Sequence, residues 1–137
     1  MRYRLGVGIL LQNSAGLIFA GERTDIRGAW QMPQGGIEKD ETPEQAMWRE
    51  LQEETGVTKA SIIYEHPVWL SYDLSGGRGQ VQKWFFLKFL GQDSDIHIGA
   101  EFQSWQWMDS QELLEIIVSF KYPIYESIFK ALPATMT

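Results

Sequence analysis

Three glutamates that fall within one turn of a predicted helix are the residues in this sequence best placed to do chemistry. Glu50, Glu53 and Glu54 follow a loop that begins with Gly35 and Gly36. Side chains three and four positions apart share a helix face, and on an exposed helix like charges at this spacing repel by only about 0.2–0.5 kcal/mol per pair. Beside a sheet, two charges about 5.5 Å apart would repel by roughly 3 kcal/mol, and a bound divalent cation would reverse the sign. The carboxylates alone leave a solvated acidic surface and a metal site as equal alternatives.

Composition limits the kind of metal that such a site would bind. The chain has no cysteine, and its two histidines, His66 and His97, are given no functional role. Oxygen ligands must therefore dominate, and they suit Mg²⁺, with Mn²⁺ as a substitute. The net charge is −6, so a pocket for polyphosphates would need metal ions to turn repulsion into attraction.

The helix that carries the glutamates is defined by local signals at both ends. Thr42 and Gln45 form a Thr-x-x-Gln capping box, and Pro43 fits the first helical position because its missing N–H is not needed there. Gly56 is free to adopt the left-handed conformation that ends a helix. These signals predict a helix from Pro43 to Thr55. Its apolar stripe for the core is Ala46, Met47 and Leu51.

The remaining segments predict strands before, between and after helices, which indicates a mixed α/β domain. Strands are expected at Tyr3–Gln12, Leu17–Ala20, Ser61–Leu74 (one or two strands), Val81–Leu90 and Phe102–Met108. A turn at Asn13–Gly16 would join the first two into a hairpin, and Ser75–Gly79 would be a mobile turn. Two further helices are expected at about Ser110–Val118 and Pro123–Leu132.

Length and hydropathy set the organisation of the chain. The 137 residues suffice for one proper core, so we expect a single domain over residues 1–137. No apolar run approaches the roughly 20 residues that span a bilayer, and the first residues lack a cleavage pattern. We therefore expect a cytoplasmic protein with no membrane association.

The spacing around the glutamates is similar to that of a known family. The pattern is Gly35, five residues, Glu41, seven residues, and then Arg49-Glu50-Leu51-x-Glu53-Glu54-x-Gly56-Val57. It resembles a complete Nudix box with every defining position filled. This resemblance implies an α/β/α sandwich, in which helices flank a mixed central β-sheet. It also implies a metal-dependent hydrolase of nucleoside diphosphates linked to another group.

Further segments are similar to one subgroup of that family, the RNA pyrophosphohydrolases and dinucleoside polyphosphate hydrolases. The matching segments are Trp30–Ile37 (WQMPQGGI), Gly79–Phe89 (GQVQKWFFLKF), Glu101–Met108 (EFQSWQWM) and Val118–Tyr125 (VSFKYPIY). The WLSYDL segment resembles that of asymmetric diadenosine tetraphosphate hydrolases. Where subgroup members often carry a long insertion after this segment, the present chain has only a few residues, so the insertion's contacts cannot be transferred.

The resemblance implies roles for specific residues. The metal ligands would be the Gly35 carbonyl, Glu50, Glu53, Glu54 and Glu101. Glu53 is the first candidate for the general base and Glu50 the second. Arg49 would orient the ligand carboxylates, or it would form only an ordinary surface pair with Glu53, four residues on. Glu101 by itself would be interpreted as an exposed strand residue, and only the similarity of its segment favours a role.

The substrate contacts implied by the resemblance come mostly from cations outside the box. The candidates are Arg4, Arg23, Arg27, Gln34, Tyr72, Lys83, Phe120 and Lys121. Phe120 would either stack on a base or pack in the core between the last two helices, and Tyr72 presents a similar choice. The tryptophans, including Trp84, Trp105 and Trp107, are expected to be mostly core residues.

The leading functional hypothesis is hydrolysis of dinucleoside polyphosphates, such as diadenosine tetraphosphate, together with removal of pyrophosphate from triphosphorylated RNA 5′ ends. One alternative is a hydrolase of free mononucleotides or nucleotide sugars. Another is a binding module that has lost catalysis, although such modules usually lack a box glutamate. The net charge of −6 predicts weak non-specific affinity for RNA, so only the end would be recognised. No obligate protein partner is inferred.

Overall fold

A computed structural model describes residues 2–74 and 77–137, in which eight strands and three helices are formed. The strands are β1 (Arg2–Gln12), β2 (Ile18–Arg23), β3 (Trp30–Gln31), β4 (Gln34–Gly36), β5 (Ala60–Glu65), β6 (Leu70–Leu74), β7 (Arg78–Phe89) and β8 (Phe102–Met108). The helices are α1 (Pro43–Thr55), α2 (Ser110–Ile116) and α3 (Tyr122–Lys130). Short 3₁₀ turns cover residues 93–95, 119–121 and 134–136.

The strands form one mixed sheet that is organised around a long parallel pair. The order is β3-β2-β1-β7-β5, while β4 also pairs with β1, β6 with β7 and β8 with β2. β1 and β7 run parallel from the pair Arg2 and Arg78 to the pair Gln12 and Lys88. All the other strand pairs in the described part of the chain are antiparallel. The predicted mixed sheet is confirmed.

Alternate side chains of the central strands face two separate cores, because successive residues of a strand point to opposite faces. On one face Ile9 and Phe85 pack with Met47 and Leu51 of α1. On the other face Trp84 packs in a cluster with α2 and α3 residues, which are Leu113, Ile124, Tyr125 and Ile128. The helices therefore cover both faces, and the predicted α/β/α fold class is confirmed.

Helix α1 has the predicted bounds, Pro43–Thr55, and the predicted caps. The Thr42 hydroxyl accepts from the Gln45 amide at 3.1 Å, and the Gln45 side chain accepts from the Thr42 amide at 2.9 Å. Gly56 has φ +73° and ends the helix in the left-handed region. Because the ends are fixed locally, the positions of the glutamates along the helix are fixed as well.

Several other boundaries differ from the prediction. α2 ends at Ile116 and not at Val118, because a separate 3₁₀ turn begins at residue 119. α3 runs from Tyr122 to Lys130. The short strands β3 and β4 have no sequence counterpart in the prediction. The segment Ser61–Leu74 forms two strands, and the predicted hairpin forms with one register pair, Gln12 and Ile18.

Two further expectations concern the turn after β6 and the membrane. Ser75 and Gly76, which belong to the turn predicted at residues 75–79, lie outside the described residues. Among residues 2–74 and 77–137, no helix is both long enough and apolar enough to cross a lipid bilayer.

Candidate active site

Gly35 brings the backbone of β4 directly against the helix that carries the glutamates. A methyl group added at Gly35 would lie 2.0 Å from the carboxyl carbon of Glu50. β4 is itself held by antiparallel pairing to the centre of β1, where Gly35 is opposite Val7. A larger residue here would displace the Glu50 carboxylate from its present position, so glycine lets the loop and the helix form one surface that is rich in oxygen atoms.

Glu54 is a buried carboxylate with an unused acceptor. The residue is 1% exposed. Its Oε2 accepts from the Gln34 amide at 3.1 Å, whereas Oε1 is buried without a hydrogen-bond partner. Burial raises the pKa of Glu54 well above its usual range, and the negative charges of Glu101 and Glu50 raise it further. A buried, unpaired carboxylate oxygen is unfavourable for the fold alone, which points to a cation as its missing partner.

Arg49 joins Glu50 and Glu53 of the helix to Glu41 in the preceding loop. It donates to both oxygens of Glu41 at 2.7 and 2.9 Å, to Glu50 at 2.8 Å, to Glu53 at 3.3 Å and to the Gly36 carbonyl at 2.9 Å. The guanidinium lowers the pKa of Glu41 to about 2, and the Glu41 carboxylate in turn raises the pKa of Arg49. The alternative that Arg49 makes only a surface pair with Glu53 is therefore wrong.

Glu50 and Glu53 occupy different environments although both accept from Arg49. The side chain of Glu50 is 13% exposed, and burial raises its pKa against the opposing effect of Arg49. The side chain of Glu53 is 59% exposed. Glu53 is consequently the more accessible of the two to water.

Glu101 reaches the cluster because the preceding loop is bonded to the end of α1. The His97 amide donates to the Thr55 carbonyl at 2.8 Å, and the Gly99 amide donates to the Glu54 carbonyl at 3.1 Å. A methyl group at Gly99 would lie 2.2 Å from the Glu53 carbonyl oxygen, so this contact also requires glycine. The loop thus places Glu101 near Glu50 and Glu54, close enough for its charge to raise the pKa of both.

The donor set fits a hard divalent cation. In the part of the chain that the structure describes, no three acidic or histidine side chains are grouped closely enough, as they lie, to hold a metal ion. Glu50 and Glu53 are instead bonded to Arg49. The fit rests on the partnerless oxygen of Glu54, the close approach of Gly35 and the purely oxygen character of the ligands. Such ligands suit Mg²⁺ or Mn²⁺ better than a soft metal.

A second group of predicted residues meets around Lys121, which is 3% exposed. Its Nζ donates to the Gln31 side chain at 2.6 Å and lies 6.0 and 5.9 Å from the ring centroids of Tyr72 and Phe120. The Tyr72 and Phe120 rings lie 5.5 Å apart with an interplanar angle of 42°. Burial lowers the pKa of Lys121 to about 8, assisted by the positive charge of Arg23 and opposed by Glu54 and Glu101. We refer to Tyr72, Phe120 and Lys121 as the aromatic platform.

Phe120 is not a core residue, because it lies in the 3₁₀ turn at residues 119–121 and is 42% exposed. The alternative of core packing between the last two helices is therefore wrong for Phe120. Tyr72 is buried in the core cluster, and its hydroxyl accepts from the Gln34 side chain at 3.3 Å. Of the tryptophans, Trp84 is fully buried, Trp105 and Trp107 are partly buried, and Trp69 is exposed.

Arg23 lines a cavity beside Glu101. The cavity has a volume of about 390 Å³, and its lining residues are Arg23, Thr24, Asp25, Ala100 and Glu101. Arg23 donates to Asp25 at 2.8 Å, and the Thr24 amide donates to the Glu101 carbonyl at 2.9 Å. The cavity therefore reaches Glu101 of the acidic cluster, and the charge of Arg23 on its wall also acts on Lys121.

The three other cationic residues proposed to contact substrate, Arg4, Arg27 and Lys83, lie apart from Arg23 and Lys121. A methyl group at Gly36 would meet Nη2 of Arg4 at 2.6 Å, so Arg4 lies beside the box loop. Arg27 is exposed and its charge acts on Glu22. Lys83 lies 3.5 Å from Glu65 and 6.0 Å from the centroid of the Trp69 ring. Among these three, only Arg4 contacts the glycine loop.

Sequence reasoning missed two buried glutamines of the site. Gln31 accepts from Lys121, and Gln82 donates to Gln34 at 3.3 Å. Both belong to segments that resemble the subgroup, WQMPQGGI and GQVQKWFFLKF, but the sequence alone assigns a role to neither. Alternation along β7 could have found Gln82, because a polar residue on the same face as Trp84 would be buried and need partners.

The family model described as NUDIX domain matches residues 2–128. The chain belongs to the Nudix family. The RNA pyrophosphohydrolase of Rhodospirillum rubrum is 48% identical, and the match covers 92% of this chain and 84% of that protein. Nudix hydrolase 26, chloroplastic, of Arabidopsis thaliana is 43% identical, and the match covers 94% of this chain and 68% of that protein.

Solved structures share this Nudix fold at low sequence identity. A binary complex of a C. elegans Ap4A hydrolase superposes with a TM-score of 0.75 at 22% identity, covering 93% of this chain and 98% of that one. A MutT protein from Methanosarcina mazei Go1 superposes with a TM-score of 0.78 at 20% identity, covering 94% of both chains. At these identities the likeness supports the fold.

Proposed function

We propose that this Nudix protein hydrolyses phosphoanhydride bonds of nucleotide polyphosphates. Its substrates are dinucleoside polyphosphates of the diadenosine tetraphosphate type and the triphosphorylated 5′ end of RNA. Support comes from the RNA pyrophosphohydrolase relatives at 43–48% identity and from the acidic cluster, which is suited to a hydrolytic cation. Nucleotide polyphosphates are thus the expected binding partners, and the cytoplasm is the expected setting.

The observation that carries this proposal is the unpartnered Oε1 of the buried Glu54 beside Glu50 and Glu101. The residues that would hold Mg²⁺, with Mn²⁺ as a substitute, are the Gly35 carbonyl, Glu50, Glu53, Glu54 and Glu101. A bound divalent ion of this kind neutralises phosphate oxygens and increases the acidity of a nearby water. Nη1 of Arg49 bridges Glu50 and Glu53, so a bound cation would compete with Arg49 for these two carboxylates.

Glu53 is proposed as the general base, with Glu50 as the second candidate. Glu53 is the more solvent-accessible carboxylate and has the longer contact to Arg49, 3.3 Å against 2.8 Å for Glu50. A water attacking phosphorus would pass its proton to this carboxylate while the new P–O bond forms. The leaving phosphate oxygen keeps the electron pair of the broken anhydride bond.

The substrate is expected to extend from the carboxylates across the cavity mouth to the aromatic platform. Phe120 offers an exposed ring for a base, and Lys121 offers a positive charge that has no carboxylate within ion-pair distance in the described residues. Arg23 lines the cavity beside Glu101, and Arg4 approaches the glycine loop. Arg27 and Lys83 would contact more distant parts of the substrate.

One experiment tests the hydrolase assignment. Turnover of diadenosine tetraphosphate and of a triphosphorylated RNA oligonucleotide is measured with Mg²⁺ for the wild type, Glu53→Gln and Glu44→Gln. Glu44 is an exposed glutamate on the same helix and serves as the matched control. Removal of a general base typically lowers the rate by about 10²–10⁴-fold, whereas Glu44→Gln should leave it unchanged.

Three results would change the assignment. Equal rates for the wild type and Glu53→Gln, with both proteins folded, would remove Glu53 from catalysis. Specificity constants that are higher for free mononucleotides or nucleotide sugars than for both proposed substrates would redirect the assignment to the alternative hydrolase. Binding without any turnover would instead favour a nucleotide-binding module.

A further inference from the structure

A chain of hydrogen bonds connects a core tryptophan with the aromatic platform. Nε1 of Trp84 donates to Oε1 of Gln82 at 3.2 Å. Nε2 of Gln82 donates to Oε1 of Gln34 at 3.3 Å and to Oε1 of Gln80 at 2.9 Å. Nε2 of Gln34 then donates to the Tyr72 hydroxyl at 3.3 Å. Gln82 is 1% exposed and Trp84 is fully buried, so the inner half of the chain has no access to solvent.

The indole determines the direction of every bond in this chain. Trp84 can only donate, so Gln82 must turn its oxygen towards the indole and its nitrogen towards Gln34. Gln34 must then present its oxygen to Gln82, because two amide nitrogens facing each other would leave no acceptor. The nitrogen of Gln34 consequently points to Tyr72, and the Tyr72 oxygen is the acceptor of that bond.

A hydroxyl that accepts from Gln34 keeps its own proton for another partner. Among the described residues, Gln34 is the one hydrogen-bond partner of the Tyr72 hydroxyl. Burial raises the pKa of Tyr72, so the hydroxyl remains protonated at neutral and mildly alkaline pH. The same ring faces Phe120, while the backbone amide of Gln34 holds Glu54. The free proton is therefore located where the two halves of the proposed site meet.

We propose that Gln82 is a positioning residue that acts through Gln34 to fix the Tyr72 hydroxyl as a hydrogen-bond donor to an acceptor atom of the substrate. The acceptor is either a base atom or a phosphate oxygen, since both are available in nucleotide polyphosphates. The inference rests on the proposed function, because it assumes that such a substrate occupies the site. Without the indole and Gln82, the Gln34 amide could turn over and take the tyrosine proton for itself.

Direct binding measurements test this role without relying on turnover. Calorimetric titrations of adenosine and of inorganic tripolyphosphate are compared for the wild type, Gln82→Met, Tyr72→Phe and the double variant. Methionine keeps the length of glutamine but makes no amide bonds. Gln106→Met, at an exposed position of β8, is the matched control and should bind both probes as the wild type does.

We expect Gln82→Met and Tyr72→Phe each to weaken one probe by about 5- to 30-fold, the range for a lost hydrogen bond to a buried group. A loss confined to adenosine identifies a base acceptor, and a loss confined to tripolyphosphate identifies a phosphate acceptor. The double variant should bind no more weakly than Tyr72→Phe alone, because Gln82 acts through that hydroxyl.

Independent, multiplying losses in the double variant would overturn the proposal, and so would unchanged binding of both probes by Gln82→Met. If Gln82→Met does not fold, as judged by circular dichroism, Gln34→Met carries the same test, since its backbone amide to Glu54 is retained. Failure of the proposed function is distinguishable, because it would appear as absent turnover in the wild type with the binding pattern unaffected.

Discussion

Two enclosed cations, Arg49 beside the acidic helix and Lys121 beside the aromatic platform, are treated in opposite ways by their surroundings. Hydrogen bonds that Arg49 donates to Glu41 raise the pKa of Arg49, whereas burial lowers the pKa of Lys121 to about 8. Arg49 is bonded to three carboxylates, while Lys121 donates to the neutral Gln31 side chain. The fold thus uses the charge of Arg49 for its own stability and leaves the charge of Lys121 available to an anionic ligand.

The largest effect is expected at Glu54, which lies between the two regions. Glu54→Gln should lower Mg²⁺-dependent turnover by about 10²–10⁴-fold, because a charged ligand of the proposed cation is lost. The same change should raise the free energy of unfolding measured with a chelator present, because a buried carboxylate is replaced by a neutral amide.

The increase in the free energy of unfolding that Glu54→Gln produces should depend on pH in a defined direction. Glu54 has a folded pKa above its ordinary value of 4.5, so its unfavourable contribution is absent below pH 4.5 and grows as pH rises above it. The stability gap between Glu54→Gln and the wild type should therefore widen between pH 5 and 7 in urea titrations. A variant less stable than the wild type at pH 7 would contradict this account of Glu54.

The comparison of the two cations is sharpened by Lys121→Met. The folded pKa of about 8 lies below the ordinary value of 10.5, so the unfavourable contribution of Lys121 is fully present below pH 8 and is lost between pH 8 and 10.5. Lys121→Met should thus be more stable than the wild type at pH 7 by up to about 3 kcal/mol. Urea unfolding at pH 7 and 10 measures the difference, which should shrink at the higher pH.

The exposed Lys130 provides the control for this prediction, because its side chain is 75% exposed. Lys130→Met should change stability by less than about 0.5 kcal/mol at either pH. A stability difference between Lys121→Met and the wild type that is independent of pH would show that Lys121 does not carry the proposed penalty.

The smallest of the three effects is expected for Arg49→Met, and its sign is opposite to that of Lys121→Met. Removing Arg49 leaves Glu41 and Glu50 without their shared cation, which should lower the free energy of unfolding by about 2 kcal/mol at pH 7. Urea unfolding without added metal measures it, again with Lys130→Met as control. If Arg49→Met and Lys121→Met changed the free energy of unfolding in the same direction, the distinction between the two regions would be wrong.

The acidic helix was predictable because its specification is local. The capping box, Pro43 and Gly56 gave the bounds of α1 correctly, and the apolar stripe is fully buried. Periodicity alone could not separate Glu53 from Glu54, since both neighbours lie near the edge of the apolar face. The surrounding loop decides that one is 1% exposed while the side chain of the other is 59% exposed.

The aromatic platform was predictable only through the resemblance to relatives. Its bonds join Lys121 to Gln31, 90 positions away, and Tyr72 to Gln34, 38 positions away. The local sequence around Phe120 does not indicate whether this residue is buried or exposed. Its exposure depends on α2 ending at Ile116, which leaves Phe120 in a separate 3₁₀ turn. The ligand roles of the glutamates and Glu101 stay predictions.

The parallel pairing of β1 with β7 has a consequence for how the chain is made. Each residue of β1 lies next to one that is 76 positions later in the sequence, and contacts of such long range form slowly. During synthesis the apolar β1 is made well before β7, its parallel partner. Until β7 is available, an edge of β1 is unpaired and exposed to other chains. Assistance by a chaperone, or slow release from the ribosome, would therefore be expected to influence the yield of folded protein more than point changes at the surface would.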